Sequence, residues 1–242
     1  MAQYTVEGIV LGVKNWGEAD KLVWFLSREQ GKLRVAAYGA RRARNPLAGA
    51  LQPFNLLSLT LAGGERIDTA RQSQVLHRFK KPCEDLTVMA YASFVAELAL
   101  ELFAEHEPQP ELYDELLRVF GAFEERNPRL VALSAAFKLL QGSGLALSTE
   151  SCVHCGAAIE GDAFIDVREG GAICPSCAQE SMEEYTAGTR RLIALLEKLN
   201  LASPPEFSVK GSELLAAERI MLCYLPEIME KPLKSLEFIN LL

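Results

Sequence analysis

The sequence has no long hydrophobic run and no recognisable targeting segment. Its longest uncharged stretch, residues 45–64, contains two prolines, two asparagines and a glutamine, which a membrane-spanning helix would not accommodate. The first charged residue is acidic, Glu7, so the basic segment that opens a secretory signal peptide is missing and we do not expect such a peptide. A location in the cytoplasm is therefore expected.

Residues with catalytic potential are few and scattered. The three histidines, His77, His106 and His154, fall in three separate segments, so none has an obvious orienting partner. Phosphate-binding, dinucleotide-binding, zinc-protease and serine-hydrolase motifs do not occur in the sequence. We therefore predict that the protein is not an enzyme.

Charge is unevenly distributed along the 242 residues. Residues 1–80 contain twelve Lys and Arg against six Asp and Glu, whereas residues 81–242 contain thirteen against twenty-six. With 49% hydrophobic and 24% charged residues, the composition is that of a globular protein and excludes a disordered one. A basic N-terminal third followed by an acidic remainder indicates a module that faces a polyanion, joined to a part with a different task.

Strand patterns dominate the first eighty residues. Leu33, Val35 and Ala37 share one face of a segment whose other face carries Lys32 and Arg34. Gly, Asn and Asp punctuate the chain between this segment and four others of similar composition. The predicted strands are 6–14, 21–27, 31–39, 51–64 and 66–75. Because no helical crossover separates them, they predict a five-stranded OB-fold barrel over residues 1–80.

Helical periodicity replaces the strand pattern after Pro82. Apolar residues recur three and four positions apart, and Gly and Pro mark the breaks between runs. The predicted helices are 88–102, 112–123, a third ending at 141–144, then 186–199, 212–225 and a short one at 233–239. The expected fold class is therefore α+β and multidomain: the barrel is followed by an α-helical domain, 81–242, which contains a zinc-binding insertion, 148–182.

Four of the six cysteines follow the spacing C-x2-C-x18-C-x2-C, at Cys152, Cys155, Cys174 and Cys177. Each pair brings two thiolates to one metal, and a reducing cytosol disfavours disulfides. The intervening residues 163–173 read as a hairpin that turns at its two adjacent glycines, 170 and 171. We predict one Zn²⁺, and since four thiolates saturate it, a structural role.

Two alternatives to a structural zinc remain open. A zinc ribbon that contacts nucleic acid is disfavoured because residues 150–184 contain eight acidic residues and one basic residue, Arg168, a charge that repels phosphates. A metallohydrolase would need an open coordination position. His154, inside the first cysteine pair, is interpreted as a solvated loop residue. Cys83 and Cys223, outside the pattern, are interpreted as small buried thiols.

Six cations lie within seventeen residues that contain one acidic residue, Glu29. Arginine predominates, and Tyr38 adjoins the cluster as a stacking candidate, as do Trp16, Phe25 and Phe54. The pattern predicts a groove for single-stranded nucleic acid with little sequence preference. About four to six phosphate contacts would give a slope of log affinity against log salt of roughly −3 to −4. The candidate nucleic-acid-binding residues are Arg28, Lys32, Arg34, Tyr38, Arg41, Arg42 and Arg44.

The basic cluster also has two other interpretations. A run of charge is usually a solvated face. The barrel would alternatively dock an acidic protein partner, which would make the chain a zinc-containing interaction scaffold.

The stretch from Glu7 to Leu61 resembles the opening domain of the RecO family. It contains, in order, a G-I-V-L strand, a G-E-x-D turn, an E-x-G-K turn, a G-x-R-R loop and an L-Q-P-F strand. The resemblance continues through the helical half and the four-cysteine segment to the closing KPLKSLEFI, and it covers essentially the whole chain. Asn45 departs from the pattern, because the family often has Ser there.

The resemblance implies a bacterial, nucleoid-associated recombination mediator. Such a protein binds single-stranded and double-stranded DNA, anneals complementary strands, and helps RecA replace the single-stranded-DNA-binding protein, acting with RecR and sometimes RecF. The resemblance also implies that the helical domain docks the acidic tail of the single-stranded-DNA-binding protein. The cations of that domain that we name as candidates are Arg126, Arg129, Lys138, Arg190 and Arg191.

Overall fold

Five N-terminal strands close into a barrel. A computed structural model describes residues 2–65, 67–179, 182–203 and 207–239. The sheet order is β1-β2-β3-β5-β4, with β3 and β5 parallel and the other neighbours antiparallel. This order confirms the OB-fold prediction. The strands are β1 Gln3–Trp16, β2 Asp20–Ser27, β3 Gly31–Ala37, β4 Asn55–Ala62 and β5 Asp68–Arg78.

Strand β1 closes the barrel because it pairs with two partners, β2 and β4. Its register shifts between Val10 and Gly12, and such a bulge bends a strand and increases its twist. Successive side chains of β3 point alternately into the barrel and to the solvent, as predicted. Leu33 and Val35 are buried in the barrel core, while Arg34 is exposed. The fifth strand begins at Asp68, and Arg66 of its predicted range lies outside the described residues.

Two aromatic residues considered for base stacking lie in the interior. Phe25 is fully buried in the barrel core, and Phe54 packs its ring 5.4 Å from that of Phe120. The stacking role considered for Phe54 was wrong. Phe25 packs in the core, which its position in the middle of an apolar strand already favoured for at least one of Trp24 and Phe25. The predicted strand 51–64 also starts too early, since helix α1 (Leu47–Ala50) and a turn precede β4.

The chain divides into two compact units. The first runs to Pro128 and adds the residues from Leu233 onward; the second spans Arg129–Pro232. The predicted domains, 1–80 and 81–242 with the insertion 148–182, stay predictions. Besides the barrel, the first unit contains helices α2 (Lys81–Glu84), α3 (Leu86–Leu102), α4 (Pro110–Ala122) and α8 (Lys234–Ile239).

Helices α3 and α8 of the first unit begin at side-chain caps. Asp85 accepts a 3.0 Å hydrogen bond from the backbone N–H of Val88 at the start of α3. Glu97 accepts from the backbone amides of Lys234 and Ser235 and from the Ser235 hydroxyl, at 3.0, 2.8 and 2.6 Å. A carboxylate at a helix N-terminus is favourable because free N–H groups point towards it.

The second unit combines helices with a small sheet of order β7-β6-β8. The predicted hairpin is confirmed, with Phe164 opposite Ile173, although Gly171 lies in a strand and the turn occupies 167–170. Residues 180–181 of the predicted insertion lie outside the described residues. The elements are α5 Pro128–Gly142, β6 Ala163–Asp166, β7 Gly171–Ile173, β8 Glu183–Tyr185, α6 Ala187–Lys198 and α7 Gly211–Ile228.

Two cysteines lie outside the four-cysteine pattern. Cys83 and Cys223 are exposed, so the expectation that both are buried thiols was wrong. Across the described ranges, none of the helices has the length and hydrophobicity needed to span a bilayer.

Candidate metal centre and nucleic-acid interface

The sulfur atoms of Cys152, Cys155, Cys174 and Cys177 converge on one point. All four Sγ atoms lie within 4.8 Å of one another, and those of Cys155 and Cys174 are 3.7 Å apart. A tetrahedral zinc with Zn–S distances of about 2.3 Å requires sulfurs roughly 3.8 Å apart. The cysteines are therefore positioned to hold a metal ion, and their spacing is compatible with Zn²⁺.

Local backbone hydrogen bonds bring the two cysteine pairs together. In the first pair the amide of Gly156 donates to the carbonyl of Cys152 at 2.8 Å, and Gly156 adopts φ +74°, a conformation that favours glycine. In the second pair the amide of Cys177 donates to the carbonyl of Cys174 at 3.0 Å. Strand β7 leads directly into this pair, and its Ala172 carbonyl accepts from the amide of Val153 at 2.9 Å, which joins the two pairs.

The pKa values of the Cys152 and Cys177 thiols are shifted in opposite directions. The backbone amide of Cys174 is the main cause that lowers the pKa of the Cys152 thiol to about 6. Hydrogen bonds with the side chains of Cys174 and Cys155 raise the pKa of the Cys177 thiol to about 12. Neighbouring thiolates repel one another, so all four thiols lose their protons together only when a cation offsets that repulsion. A bound metal ion supplies this positive charge. His154 is exposed and the metal-ligand cluster consists of the cysteines, in agreement with its interpretation as a loop residue.

A second candidate site is the loop that follows β3, residues 38–46. Gly39 starts it with φ +67°, and the amide of Arg42 donates to the Gly39 carbonyl at 2.9 Å. Asn45 closes it: its side-chain amide donates to the Tyr38 carbonyl at 3.1 Å, and its side-chain oxygen accepts from the amide of Leu47 at 2.9 Å. The loop is therefore ordered by its own hydrogen bonds, and Asn45, the departure from the family pattern, makes two of them.

The same loop is fastened to the turn between β1 and β2. The amide of Gly39 donates to a carboxylate oxygen of Asp20 at 2.7 Å. The amide of Arg41 donates to the carbonyl of Ala19 at 2.9 Å, and its guanidinium to that of Glu18 at 3.0 Å. Arg41 thus orients the loop through backbone partners, which leaves its charge uncompensated.

Arg42 and Arg44 are exposed, and within the described part of the chain neither guanidinium has a hydrogen bond or an ion pair. A guanidinium that is fully hydrated and unpaired is available for a phosphate, which it binds with two parallel hydrogen bonds. We call Arg41, Arg42 and Arg44 the loop arginines.

The other three predicted cations are engaged with residues 100–114 of the same unit. Arg28 forms a bidentate pair with Asp114 at 3.0 and 3.1 Å, and Arg34 pairs with Glu105 at 2.9 Å. Lys32 donates to the Leu100 carbonyl at 2.6 Å, and burial lowers its pKa. We call Arg28, Lys32 and Arg34 the paired cations. The six cations therefore form two sets, and a nucleic-acid role for either set stays a prediction.

Two family models match this chain. Residues 1–79 match the family model for the N-terminal domain of recombination protein O, and residues 83–237 match the model for its C-terminal domain. The chain belongs to the RecO family. Three curated relatives, each named DNA repair protein RecO, illustrate the similarity. The relative from Symbiobacterium thermophilum is 36% identical over 100% of this chain and 98% of its own.

The other two relatives agree with this assignment. The protein from Anaeromyxobacter dehalogenans is 37% identical and the alignment covers 81% of this chain and 79% of the relative. The protein from Bacillus velezensis is 30% identical over 97% of this chain and 92% of the relative. Family membership makes this chain a DNA repair protein of the RecO family, and it agrees with the barrel, the helices and the cysteine cluster described above.

An exposed aromatic pair adjoins the loop arginines of this RecO-family chain. Trp16, the last residue of β1, is 42% exposed, and Tyr38, the residue after β3, is 55% exposed. Their ring centroids are 6.0 Å apart and the ring planes are inclined by 38°. The sequence named both as stacking candidates but could not show that they are neighbours, because they are 22 positions apart along the chain.

The cations named for docking the tail peptide are mostly engaged. Arg129 pairs with Glu218 at 3.2 Å, Lys138 donates to the carbonyl of Leu199, and Arg190 donates to that of Glu160 at 2.8 Å. Arg191 is exposed. Arg126 belongs to the first unit and the other four to the second, so the predicted group of Arg126, Arg129 and Lys138 does not fall within one unit. Their role in partner binding stays a prediction.

Proposed function

We propose that the protein is a recombination mediator in DNA repair that acts without catalytic turnover. In this proposal it binds single-stranded and double-stranded DNA, anneals complementary strands, and helps load RecA onto DNA covered by the single-stranded-DNA-binding protein. The observation that carries the proposal is the exposed, ordered loop on which the guanidinium groups of Arg42 and Arg44 have no partner among the described residues. Membership of the RecO family supports the same conclusion.

The physical basis for annealing is charge neutralisation on a preordered surface. Phosphates repel one another when two strands approach, and each guanidinium that replaces condensed counterions reduces that repulsion. Because hydrogen bonds to Asp20, Ala19 and Glu18 already hold the loop, little conformational entropy is lost on binding. Contacts limited to phosphates carry no sequence information, so the proposed binding has little sequence preference.

The proposed partners are other proteins of DNA recombination. RecR, and RecF where it is used, act with the protein, and RecA benefits indirectly. The acidic tail of the single-stranded-DNA-binding protein docks in the helical half, where Arg126, Arg129, Lys138, Arg190 and Arg191 are the candidate contacts. The protein works at the nucleoid in the bacterial cytoplasm.

The metal centre has a structural role in this proposal. Four cysteine thiolates would hold one Zn²⁺ and leave no coordination position for water or substrate, which excludes a hydroxide-generating role. The ion instead joins the chain before β6 to the chain after β7 and so holds the small sheet together. Metal binding and folding of this segment are then one process.

Strand annealing tests the proposed function most fully. We expect the wild-type protein to accelerate annealing of complementary strands covered by the single-stranded-DNA-binding protein. The variant with Arg41, Arg42 and Arg44 all changed to Ala should lose that acceleration, because the loop then presents no charge to the backbone. The rate is followed by fluorescence energy transfer between end-labelled strands.

A gel shift with a mixed-sequence oligonucleotide separates the proposal from the interaction-scaffold alternative. The scaffold predicts no shift for either protein, since its basic barrel docks an acidic protein instead. A shift that persists unchanged in the triple-alanine variant would remove the loop arginines from the account.

The ion pairs of the paired cations lead to a further prediction. Glu105→Gln combined with Asp114→Asn neutralises both carboxylates, so the charges of Arg34 and Arg28, whose side chains are 46% and 50% exposed, are no longer compensated and each arginine keeps at most a weaker hydrogen bond to an amide oxygen. Such exposed pairs contribute about 0–1 kcal/mol to stability, so the fold should be retained. Single-strand affinity should rise, and the slope of log affinity against log salt should steepen by about 1.4, the amount for two added phosphate contacts.

The control for this double variant changes equally exposed acids elsewhere in the same unit. Glu65→Gln with Glu84→Gln removes the same charge without releasing either arginine. If both double variants gained the same affinity, the gain would be a general effect of net charge. The prediction that Arg28 and Arg34 in particular become available to phosphates would then be wrong.

A further inference from the structure

We infer that Trp16 and Tyr38 form a platform on which one unpaired nucleobase stacks, and that this platform, and not the loop arginines, makes the protein prefer single strands to duplex. The inference rests on the proposed function, because it presupposes that nucleic acid reaches the loop. The ligand class is an unpaired base of single-stranded DNA or RNA. The observation that carries it is an exposed aromatic pair fixed beside unpaired arginines.

The exposure of these two rings is unusual for the molecule. Among the residues that the structure describes, five large hydrophobic side chains are exposed, and Trp16 and Tyr38 are the aromatic ones. They are also adjacent to each other. Large exposed apolar groups that cluster, with polar groups around them, mark binding surfaces, whereas single exposed residues do not.

The backbone fixes the position of both rings. Trp16 is the last paired residue of β1, opposite Asp20 of β2. Asp20 accepts from the amide of Gly39, and the carbonyl of Tyr38 accepts from the side chain of Asn45. The two strand ends are therefore joined next to the rings, so a base would meet a preformed surface and lose little freedom in ordering it.

The geometry of the pair favours an added ring. The planes are inclined by 38° with centroids 6.0 Å apart, so the rings are not stacked face to face on each other. Their faces thus remain available for a third aromatic group, and any of the four bases offers a π-face. The guanidinium of Arg41 bonds to the turn that follows Trp16, which places positive charge beside the platform for the phosphate of the same nucleotide.

Stacking would give the protein a preference for single strands that arginines alone do not provide. Phosphates line both single strands and duplexes, so the loop arginines bind either. A base within a duplex is covered by its neighbours and its partner, and stacking on a protein ring requires that it be unpaired. Trp16 and Tyr38 should therefore contribute to single-strand affinity and leave duplex affinity unchanged.

The two tryptophans of the chain allow a direct spectroscopic test. Trp24→Phe removes the other indole, which is partly buried on β2, and leaves Trp16 as the sole tryptophan reporter. We expect oligothymidylate to quench Trp16 emission, and an abasic oligonucleotide of equal length and charge to leave it unchanged at equal occupancy. Occupancy is measured in parallel by the anisotropy of a dye on the oligonucleotide.

Variants at Tyr38 complete the experiment. Tyr38→Phe keeps the ring and should retain single-strand affinity, whereas Tyr38→Leu keeps an apolar side chain without a π-face and should weaken it by about tenfold, the effect of one lost base stack. Both should bind duplex as the wild type does. Since Tyr38 is 55% exposed, each variant should fold, and thermal unfolding verifies this.

The outcomes separate the inference from the proposed function. Oligonucleotides that bind with unchanged Trp16 emission, or a Tyr38→Leu variant with full single-strand preference, would overturn the platform while leaving the mediator proposal in place. Failure of both oligonucleotides and duplex to bind would overturn the mediator proposal itself.

Discussion

Cys177→Ala is expected to abolish metal binding and to unfold the four-cysteine segment. Three thiolates would remain to hold the ion, and the second cysteine pair would lose its connection to the first. Structural zinc sites contribute an apparent 10–16 kcal/mol, roughly, at neutral pH, more than the total stability of most small domains. The variant should therefore contain no bound metal ion and should be cleaved by protease between residues 148 and 182.

The matched control for this change is Cys223→Ala. Cys223 is exposed and lies outside the metal-ligand cluster, so its substitution removes a thiol without removing a ligand. This variant should keep its metal and its resistance to protease. Metal content is measured by atomic emission after gel filtration, and protease sensitivity by mass spectrometry of the fragments.

The same experiment decides between structural and catalytic metal. A metallohydrolase with an open coordination position predicts that Cys177→Ala spares the structure and alters an activity. A folded, protease-resistant Cys177→Ala protein that lacks metal would contradict the structural role. In that case the hydrogen bonds that join the two pairs, such as the one from Val153 to Ala172, would hold the segment by themselves.

Arg42→Ala combined with Arg44→Ala is expected to weaken single-strand binding by about 25-fold at 0.1 M monovalent salt. The estimate follows from counterion release, in which two lost phosphate contacts change the logarithm of affinity by about 1.4 at that concentration. We leave Arg41 unchanged in this variant, because its bonds to the β1–β2 turn orient the loop. Affinity is measured by fluorescence anisotropy of a labelled oligonucleotide.

Arg28→Ala with Arg34→Ala is the control of equal charge. These cations are paired with Asp114 and Glu105, so their removal should change affinity only slightly. If both double variants lost affinity equally, binding would depend on net charge alone and the division of the six cations into two sets would be wrong.

The barrel and the cysteine cluster were predictable from sequence because their signals are local. Alternation in residues 32–37 marks an inward and an outward face, and C-x2-C pairs form a ligand turn whatever surrounds them. The absence of helical crossovers predicted a small closed antiparallel barrel, whereas the strand order and the parallel β3–β5 pair appear only in the structure. The helix bounds also agreed within a few residues, since Gly and Pro punctuate them.

The division of the cations was not predictable, because it depends on contacts between distant residues. Arg28 and Asp114 are 86 positions apart, and Arg34 and Glu105 are 71 apart. A charge run shows how many cations are present and cannot show which of them meet carboxylates after folding. For the same reason the proximity of Trp16 and Tyr38 appears only when β1 and β3 are placed at their positions in the barrel.

The salt dependence of single-strand binding tests the central claim most directly. If the three loop arginines make the phosphate contacts, log affinity should fall with log salt at a slope of about −2 in the wild type. The Arg42→Ala, Arg44→Ala variant should give a slope of about −0.7, because one contact remains. Parallel lines for the two proteins would contradict the claim that these guanidinium groups contact the nucleic-acid backbone.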